Sequence, residues 1–200
     1  MLHAPTKYLI AALLLSPAIA LASEKNNEKN DDNAVHEQLG FVEWVVLEDT
    51  GLRLKARLDT GAKTSSLHAV NVEPFEKDDE EWVSFQLPLA DHQDEEDAEG
   101  KDLDEVILEF SLPVERTVNI KRKGASSQKR YVVKMAFCIA GTTHKTEFSL
   151  TDRGKFTYPA LLGRRFMSDD NILTDSAETF LAKKDCDYMS LGELAEKHAD

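Results

Sequence analysis

The chain has 200 residues, of which 42% are hydrophobic and 30% charged, so it is long enough for one domain with a sizeable core and too apolar for a disordered tail. Twenty-four Lys+Arg against 37 Asp+Glu give a formal charge of −13, which opposes nonspecific nucleic-acid binding and argues against a dedicated DNA or RNA binder. Beyond the first two dozen residues, no apolar run approaches the roughly 20 residues that span a bilayer.

The N-terminus reads as an export signal. Lys7 supplies a positive start, Tyr8 to Leu15 and Ala18 to Leu21 form an apolar stretch broken by Ser16-Pro17, and Ala20-Leu21-Ala22 is a small-x-small site with cleavage expected after Ala22. A retained anchor is the alternative. No cysteine follows the site, so a lipoprotein anchor is not expected, and the product would be periplasmic or secreted. Residues 23–40, polar and without periodicity, read as a flexible leader.

From Phe41 the chain reads mainly as strands: Phe41–Leu47, Leu52–Leu58, Val70–Val72, Trp82–Leu87, Val106–Leu112, Thr117–Lys121, Tyr131–Ile139 and Lys145–Leu150. In Leu52–Leu58, apolar residues alternate with basic 53, 55 and 57, the period of a half-buried strand, and the run ends at Asp59. Two acidic stretches, Glu76 to Glu81 and Asp91 to Glu105, read as solvated loops, the second as an insertion. A calcium site is the weaker reading, since no D-x-[DN]-x-[DN]-G loop is present. Ser190-Leu-Gly-Glu193 is a capping box opening a helix from Leu191 to His198. The expected layout is a signal (1–22), a leader (23–40), a protease-like domain (41–185, with insertion 91–105) and a helical tail (186–200).

Cys138 and Cys186 stand 48 positions apart, and an oxidising compartment permits a disulfide, but spacing alone leaves a buried free thiol equally open. There is no H-E-x-x-H and no C-x-x-C, and His36, His68, His92, His144 and His198 show no ligand spacing, so no metal or other cofactor is expected.

The chemistry-bearing element is Asp59-Thr60-Gly61-Ala62. A carboxylate emerging at the end of a buried strand suits an aspartic peptidase, in which two facing carboxylates share a proton, one activating water and the other protonating the scissile amide. Thr60 could tie two such loops together by its hydroxyl, and Gly61 lets backbone approach backbone. An Asx turn is the plainer alternative. About a hundred residues later, Tyr158-Pro-Ala-Leu-Leu-Gly-Arg164 is an apolar run ending in Gly163-Arg164, with a short helix expected after it.

Together these elements resemble the retropepsins. With Trp44-Val-Val-Leu, Lys55 to Ala69, Trp82-Val-Ser-Phe and Leu150-Thr-Asp-Arg153, the chain is similar to the bacterial retropepsin-like aspartic endopeptidases over roughly Phe41 to Leu181, a family that has also carried the label of ATP-dependent zinc proteases. The resemblance implies a mainly β, closed barrel-like fold and one catalytic aspartate, Asp59, per chain, hence a homodimer. A chain with one D-T-G cannot supply a dyad alone. The zinc label finds no support in the sequence, and without a G-x-x-x-x-G-K-[ST] loop any ATP dependence would come from a partner.

Viral retropepsins place an acid four residues after the aspartate to pair with the Gly-Arg arginine, whereas this chain has Lys63. Asp152 is then the candidate partner of Arg164, unless Asp152-Arg153 is only a turn. Residues 116–134 hold seven basic residues and no acid. The hairpin there falls where retropepsins carry a substrate-covering flap, which would set Lys121, Arg122, Lys123, Lys129 and Arg130 around the cleft, with Ala62, to receive an acidic peptide. A charged exposed hairpin that balances the acidic insertion is the alternative. Family members are linked to glutamate ligases and glutamate-bearing products, which favours the first.

The expected function is therefore peptide-bond hydrolysis in the periplasm, with a noncatalytic peptide-binding module serving a membrane-associated partner system as the alternative.

Overall fold

The computed structural model describes residues 36–88, 107–122 and 125–198. The expected signal 1–22, residues 23–35 of the expected leader, the expected acidic insertion 91–105 and Lys123 lie outside the described residues. Twelve strands and two short helices are present among the rest, and the mainly β expectation holds.

Strands β1 (Glu37–Gly40), β2 (Val42–Leu47), β3 (Arg53–Asp59) and β4 (Ser65–His68) come first, then β5 (Val70–Lys77), β6 (Glu80–Pro88) and β7 (Ile107–Pro113). The hairpin β8 (Arg116–Arg122) and β9 (Ala125–Ile139) leads to β10 (Thr142–Thr151), β11 (Ala160–Gly163), helix α1 (Arg164–Asp169), β12 (Ile172–Asp175) and helix α2 (Leu191–Lys197). The pairing β10-β4-β11-β3-β2-β9 returns on itself through β9 against β10, so six strands form a hydrogen-bonded ring, with β8 extending from β9. The expected closed, barrel-like β fold is present in this ring, although the sheets do not make one clean barrel. A three-stranded sheet β5-β6-β7 and a parallel pair β1-β12 stand beside the ring.

The period-2 reading of β3 is observed directly: Leu54, Ala56 and Leu58 are buried while Arg53, Lys55, Arg57 and Asp59 share the opposite face. The same alternation in β6 sends Val83, Phe85 and Leu87 inward, where Phe85 stacks on Phe110 of β7 with centroids 5.0 Å apart. These residues join the ring's interior in one core, which also holds Phe137, Phe148 and Phe166 in edge-to-face contact.

Three boundaries differ from expectation. Residues 37–40, assigned to the leader, form β1, because Leu39 is fully buried and the strand pairs in parallel with β12, 135 residues away. The acidic run 76–81 is not an open loop but the ends of β5 and β6, closed by Asp78-Asp79 at φ 53° and 62°, the left-handed pair a tight hairpin turn needs. The tail beginning at 186 is fastened to the same core: Cys186 is disulfide-bonded to Cys138 with Cα atoms 5.9 Å apart, and Leu194 of α2 is fully buried. That settles the cysteines as a pair. The capping box is formed as expected, with Glu193 N donating to Ser190 Oγ at 3.2 Å and Ser190 N to Glu193 Oε2 at 2.8 Å.

Candidate active site

The site is built by threading one strand between two others. Strand β11 lies between β3, to which it is parallel, and β4, to which it is antiparallel. The chain leaving β3 at Asp59 must therefore turn around the end of β11 to reach β4, and residues 60–64 make that turn. Gly163 ends β11 in register with Asp59. A Cβ on Gly163 would lie 2.6–2.8 Å from the Thr64 backbone atoms, so the crossing admits only glycine without a shift of the main chain.

Hydrogen bonds then fix the crossing. Gly163 N donates to Ser65 Oγ at 3.1 Å, Arg164 N to the Ala62 carbonyl at 2.9 Å and Arg165 N to the Lys63 carbonyl at 3.2 Å. The Asp59 carboxylate is held within this loop: Oδ1 accepts from Gly61 N at 2.9 Å and from Ala62 N at 3.2 Å. Its half-buried position and two amide donors suit a carboxylate kept in one rotamer. Thr60 is exposed at the loop's tip.

The Arg164 guanidinium donates to the Gly61 carbonyl at 3.0 Å, thereby bracing the same loop. Asp152, expected as its partner, stands at the other end of β11. The Asp152 carboxylate accepts from Gly154 N at 2.9 Å in a turn of its own, and its Oδ1 lies 3.9 Å from the Nδ1 of buried His68. The separation follows from topology, because Asp152 comes directly after β10, whose last residue Thr151 pairs with His68 at the far end of β4.

Lys121 and Arg122 close β8 at the tip of the basic hairpin, where Arg122 pairs with Ala125. Nearer the hairpin's base, Arg130 contacts Gln128 Oε1 through Nη2 at 3.2 Å, and Lys129 lies over the Tyr131 ring at 4.7 Å. Lys129 and Arg130 line an open groove with Asn71 of β5 and Thr151-Asp152 at the end of β10.

Sequence reasoning missed Arg153 as a site residue. Its side chain is buried, with Nε donating to the Tyr158 carbonyl at 3.0 Å, Nη1 to Ser66 Oγ at 2.9 Å, and its guanidinium 4.7 Å from the Phe156 centroid. Its backbone N–H donates to His68 Nδ1 at 2.8 Å, which fixes the unprotonated nitrogen of that ring. Burial pushes the Arg153 guanidinium below the usual arginine range, repulsion from Arg130 and Arg57 adds to this, and attraction to Asp59 opposes it. A charged residue beside Asp152 in a turn ordinarily faces solvent, and only the adjacent exposed aromatic Phe156 hinted at a cover.

No group of three or more His, Cys, Asp or Glu is placed to hold a metal ion among the described residues. No helix among them is long and apolar enough to cross a membrane.

Comparison with known proteins gives this geometry its context. The chain is 37% identical over 144 residues to a "Probable alpha-L-glutamate ligase" of Shewanella pealeana and 32% identical over 147 residues to one of Desulfotalea psychrophila, covering 71% and 72% of this chain. It spans only 29% of the length of each of those relatives. Among solved structures, Lpg0085 of Legionella pneumophila, a DUF785 protein of unknown function, superposes with a TM-score of 0.59 at 33% identity, over 74% of this chain and 98% of that one. Residues 38–185 match the family model described as retropepsin-like aspartic endopeptidase RimB, and the chain belongs to this RimB-like family.

Proposed function

We propose that the chain is an aspartic peptidase that hydrolyses peptide bonds with a carboxylate dyad, one Asp59 from each protomer of a homodimer. The observation that carries this reading is the seating of Asp59: one oxygen is held by the Gly61 and Ala62 amides, and Oδ2 has no hydrogen-bond partner among the described residues. A second carboxylate brought to that oxygen would share its proton. The ionised member then removes a proton from water as the water attacks the amide carbon, and the protonated member delivers its proton to the leaving nitrogen. Thr60, Gly61 and Ala62 shape the loop on which the two protomers meet, while Gly163 and Arg164 hold that loop against β11.

The substrate class in this reading is an acidic, glutamate-bearing peptide. Support comes from the relatives: a region like this chain makes up under a third of proteins named as glutamate ligases, so the fold occurs alongside glutamate addition. The basic hairpin, whose strand β8 ends in Lys121 and Arg122, adds positive potential. Export after cleavage behind Ala22 belongs to the same reading, and a disulfide between Cys138 and Cys186 suits an oxidising compartment.

That relatives carry this region as a minor part of a larger chain also favours a second reading: a noncatalytic peptide-binding module that presents acidic peptides to a membrane-associated partner system. One experiment separates the two. The protein is incubated with a mixed peptide library from about pH 3 to 8, beside Asp59→Asn, with and without a chelator. The peptidase reading expects cleavage by the unmodified protein, none by Asp59→Asn, and indifference to EDTA. Binding without cleavage supports the module.

A further inference from the structure

Arg153 poses a question that its hydrogen bonds do not answer. A guanidinium taken out of water is ordinarily matched by a carboxylate, because neutral acceptors return only part of the lost hydration. Here the partners are a backbone carbonyl, a serine hydroxyl and an aromatic face, and no carboxylate lies within 4.0 Å of it among the described residues. The charge is thus buried and hydrogen-bonded with no contact ion pair among the described residues, Asp59 acting on it only from a distance.

Its position follows from the strand register. Leu161 of β11 pairs on one side with Arg57 of β3 and on the other with Ser66 of β4, so these three lie in one row on the face away from the core. Arg153 Nη1 is on the Ser66 hydroxyl. One guanidinium therefore closes the row at β4, while Arg57 stands exposed at its β3 end with no ion pair among the described residues. Strands spaced about 4.8 Å apart put these ends about 10 Å from one another, with Leu161 as the floor between them. Asp59 is on the same face of β3, two residues or about 7 Å further along. Arg130 approaches from the groove that ends at Asp152. The lowered affinity of Arg153 for its proton, with Arg130 and Arg57 adding to the effect and Asp59 opposing it, agrees with three cations gathered near one another beside Asp59.

We propose that Arg153, Arg57 and Arg130 form a carboxylate-binding subsite beside Asp59, which receives an acidic side chain of the bound peptide. Arg153 is the preorganised member, locked by Tyr158, Ser66 and His68. Arg57 and Arg130 are the adjustable ones. Leu161 and the exposed Phe156 offer apolar contact for the methylenes of a glutamate, whose length suits a carboxylate reaching past a floor residue. This deepens the reading given under Proposed function, since it assigns selection of acidic peptides to the row beside the catalytic loop rather than to the hairpin tip.

The test is binding, so it does not depend on turnover. Full chain carrying Asp59→Asn is titrated with a fluorescently labelled Ala-Ala-Glu-Glu-Ala-Ala peptide and with its Gln-Gln counterpart. The subsite predicts preference for the Glu peptide by about tenfold or more, reduced at least threefold in Arg57→Gln and nearly abolished in Arg153→Gln, with Gln-peptide affinity little changed. Arg57 is exposed, so its variant keeps the fold even if Arg153→Gln does not, and Arg153→Lys should restore part of the preference. An undiminished Glu/Gln ratio in a folded Arg57→Gln and Arg153→Lys pair overturns the subsite, even if the unmodified enzyme cleaves peptides. Selective binding lost with these arginines in a protein that never cleaves upholds the subsite and rejects the peptidase reading.

Discussion

The two loops that flank β11 differ in what buries their fastening. The first, residues 60–64, is held by main-chain hydrogen bonds and the absence of a side chain at Gly163, with the Asp59 carboxylate and the Arg164 guanidinium bracing it at the surface. The second, residues 152–159, is held by side chains: Arg153 reaches the Tyr158 carbonyl and Ser66, and His68 takes the Arg153 amide. A loop fastened through its backbone fixes one carboxylate in place and tolerates few substitutions. A loop fastened through a buried cation carries a desolvation cost, which in the proposed subsite an anionic ligand would offset.

The largest effect expected from this contrast is at Gly163. Gly163→Ala forces a methyl into the Thr64 backbone and should destabilise the fold by about 1–3 kcal/mol in urea unfolding, as overpacking at a rigid contact does. Peptidase activity should fall further than stability, because the Asp59 loop moves with Thr64. Wild-type stability in this variant would show that the crossing is looser than described.

Arg153→Met should cost less, about 1–2 kcal/mol. The substitution gives up hydrogen bonds to Tyr158 and Ser66 but removes a desolvated charge. A loss as large as that of Gly163→Ala would mean the guanidinium is a structural keystone and not a stored charge.

The legibility of the two loops differs in the same way. Asp59, Gly61, Gly163 and Arg164 were readable because backbone geometry demands particular residues at fixed spacing, and the alternation before Asp59 placed it at a strand end. Arg153 was not, since nothing local distinguishes an arginine in a turn from one folded under a phenylalanine. The expected Asp152–Arg164 pair failed for a related reason: both residues flank β11, but only the pairing of β11 between β3 and β4 says that they flank opposite ends. Strand β1 was hidden because its parallel partner β12 lies 135 residues on, and Glu37-Gln-Leu-Gly carries one buried apolar side chain to announce it. Hairpins, whose partners are neighbours in sequence, were legible as strands even where their ends were misjudged.

Ser65, which opens β4 where the first loop ends, ties it to both neighbouring strands, taking Gly163 N of β11 on its hydroxyl and Ser149 Oγ of β10 on its carbonyl. Ser65→Ala leaves the buried Gly163 N–H unmatched and should cost about 1 kcal/mol by thermal or chemical unfolding. No measurable change would indicate that the crossing rests on packing alone.

The smallest effect should come from a partly exposed ion pair between β8 and β10. Arg116 donates to Glu147 Oε2 at 2.6 Å, and that hydrogen bond holds the Glu147 carboxyl below its usual 4.5. A carboxyl with a lowered folded-state pKa stabilises above its unfolded value, and the contribution fades as pH falls through the folded value. Arg116→Gln should therefore be less stable than the parent by under about 1 kcal/mol at pH 7, with the two converging as pH falls through the lowered folded-state value. A gap that widened in acid would contradict this assignment.

The central claim, that each active site needs Asp59 from two chains, is tested most directly by subunit mixing. Unmodified protein is exchanged to equilibrium with an equal amount of Asp59→Asn, and cleavage of a susceptible peptide is measured per total protein. A shared dyad leaves about one quarter of dimers intact, so activity should fall to about one quarter of that of the unmodified protein at the same total concentration. Activity of one half, the value for simple dilution of independent chains, would contradict the account.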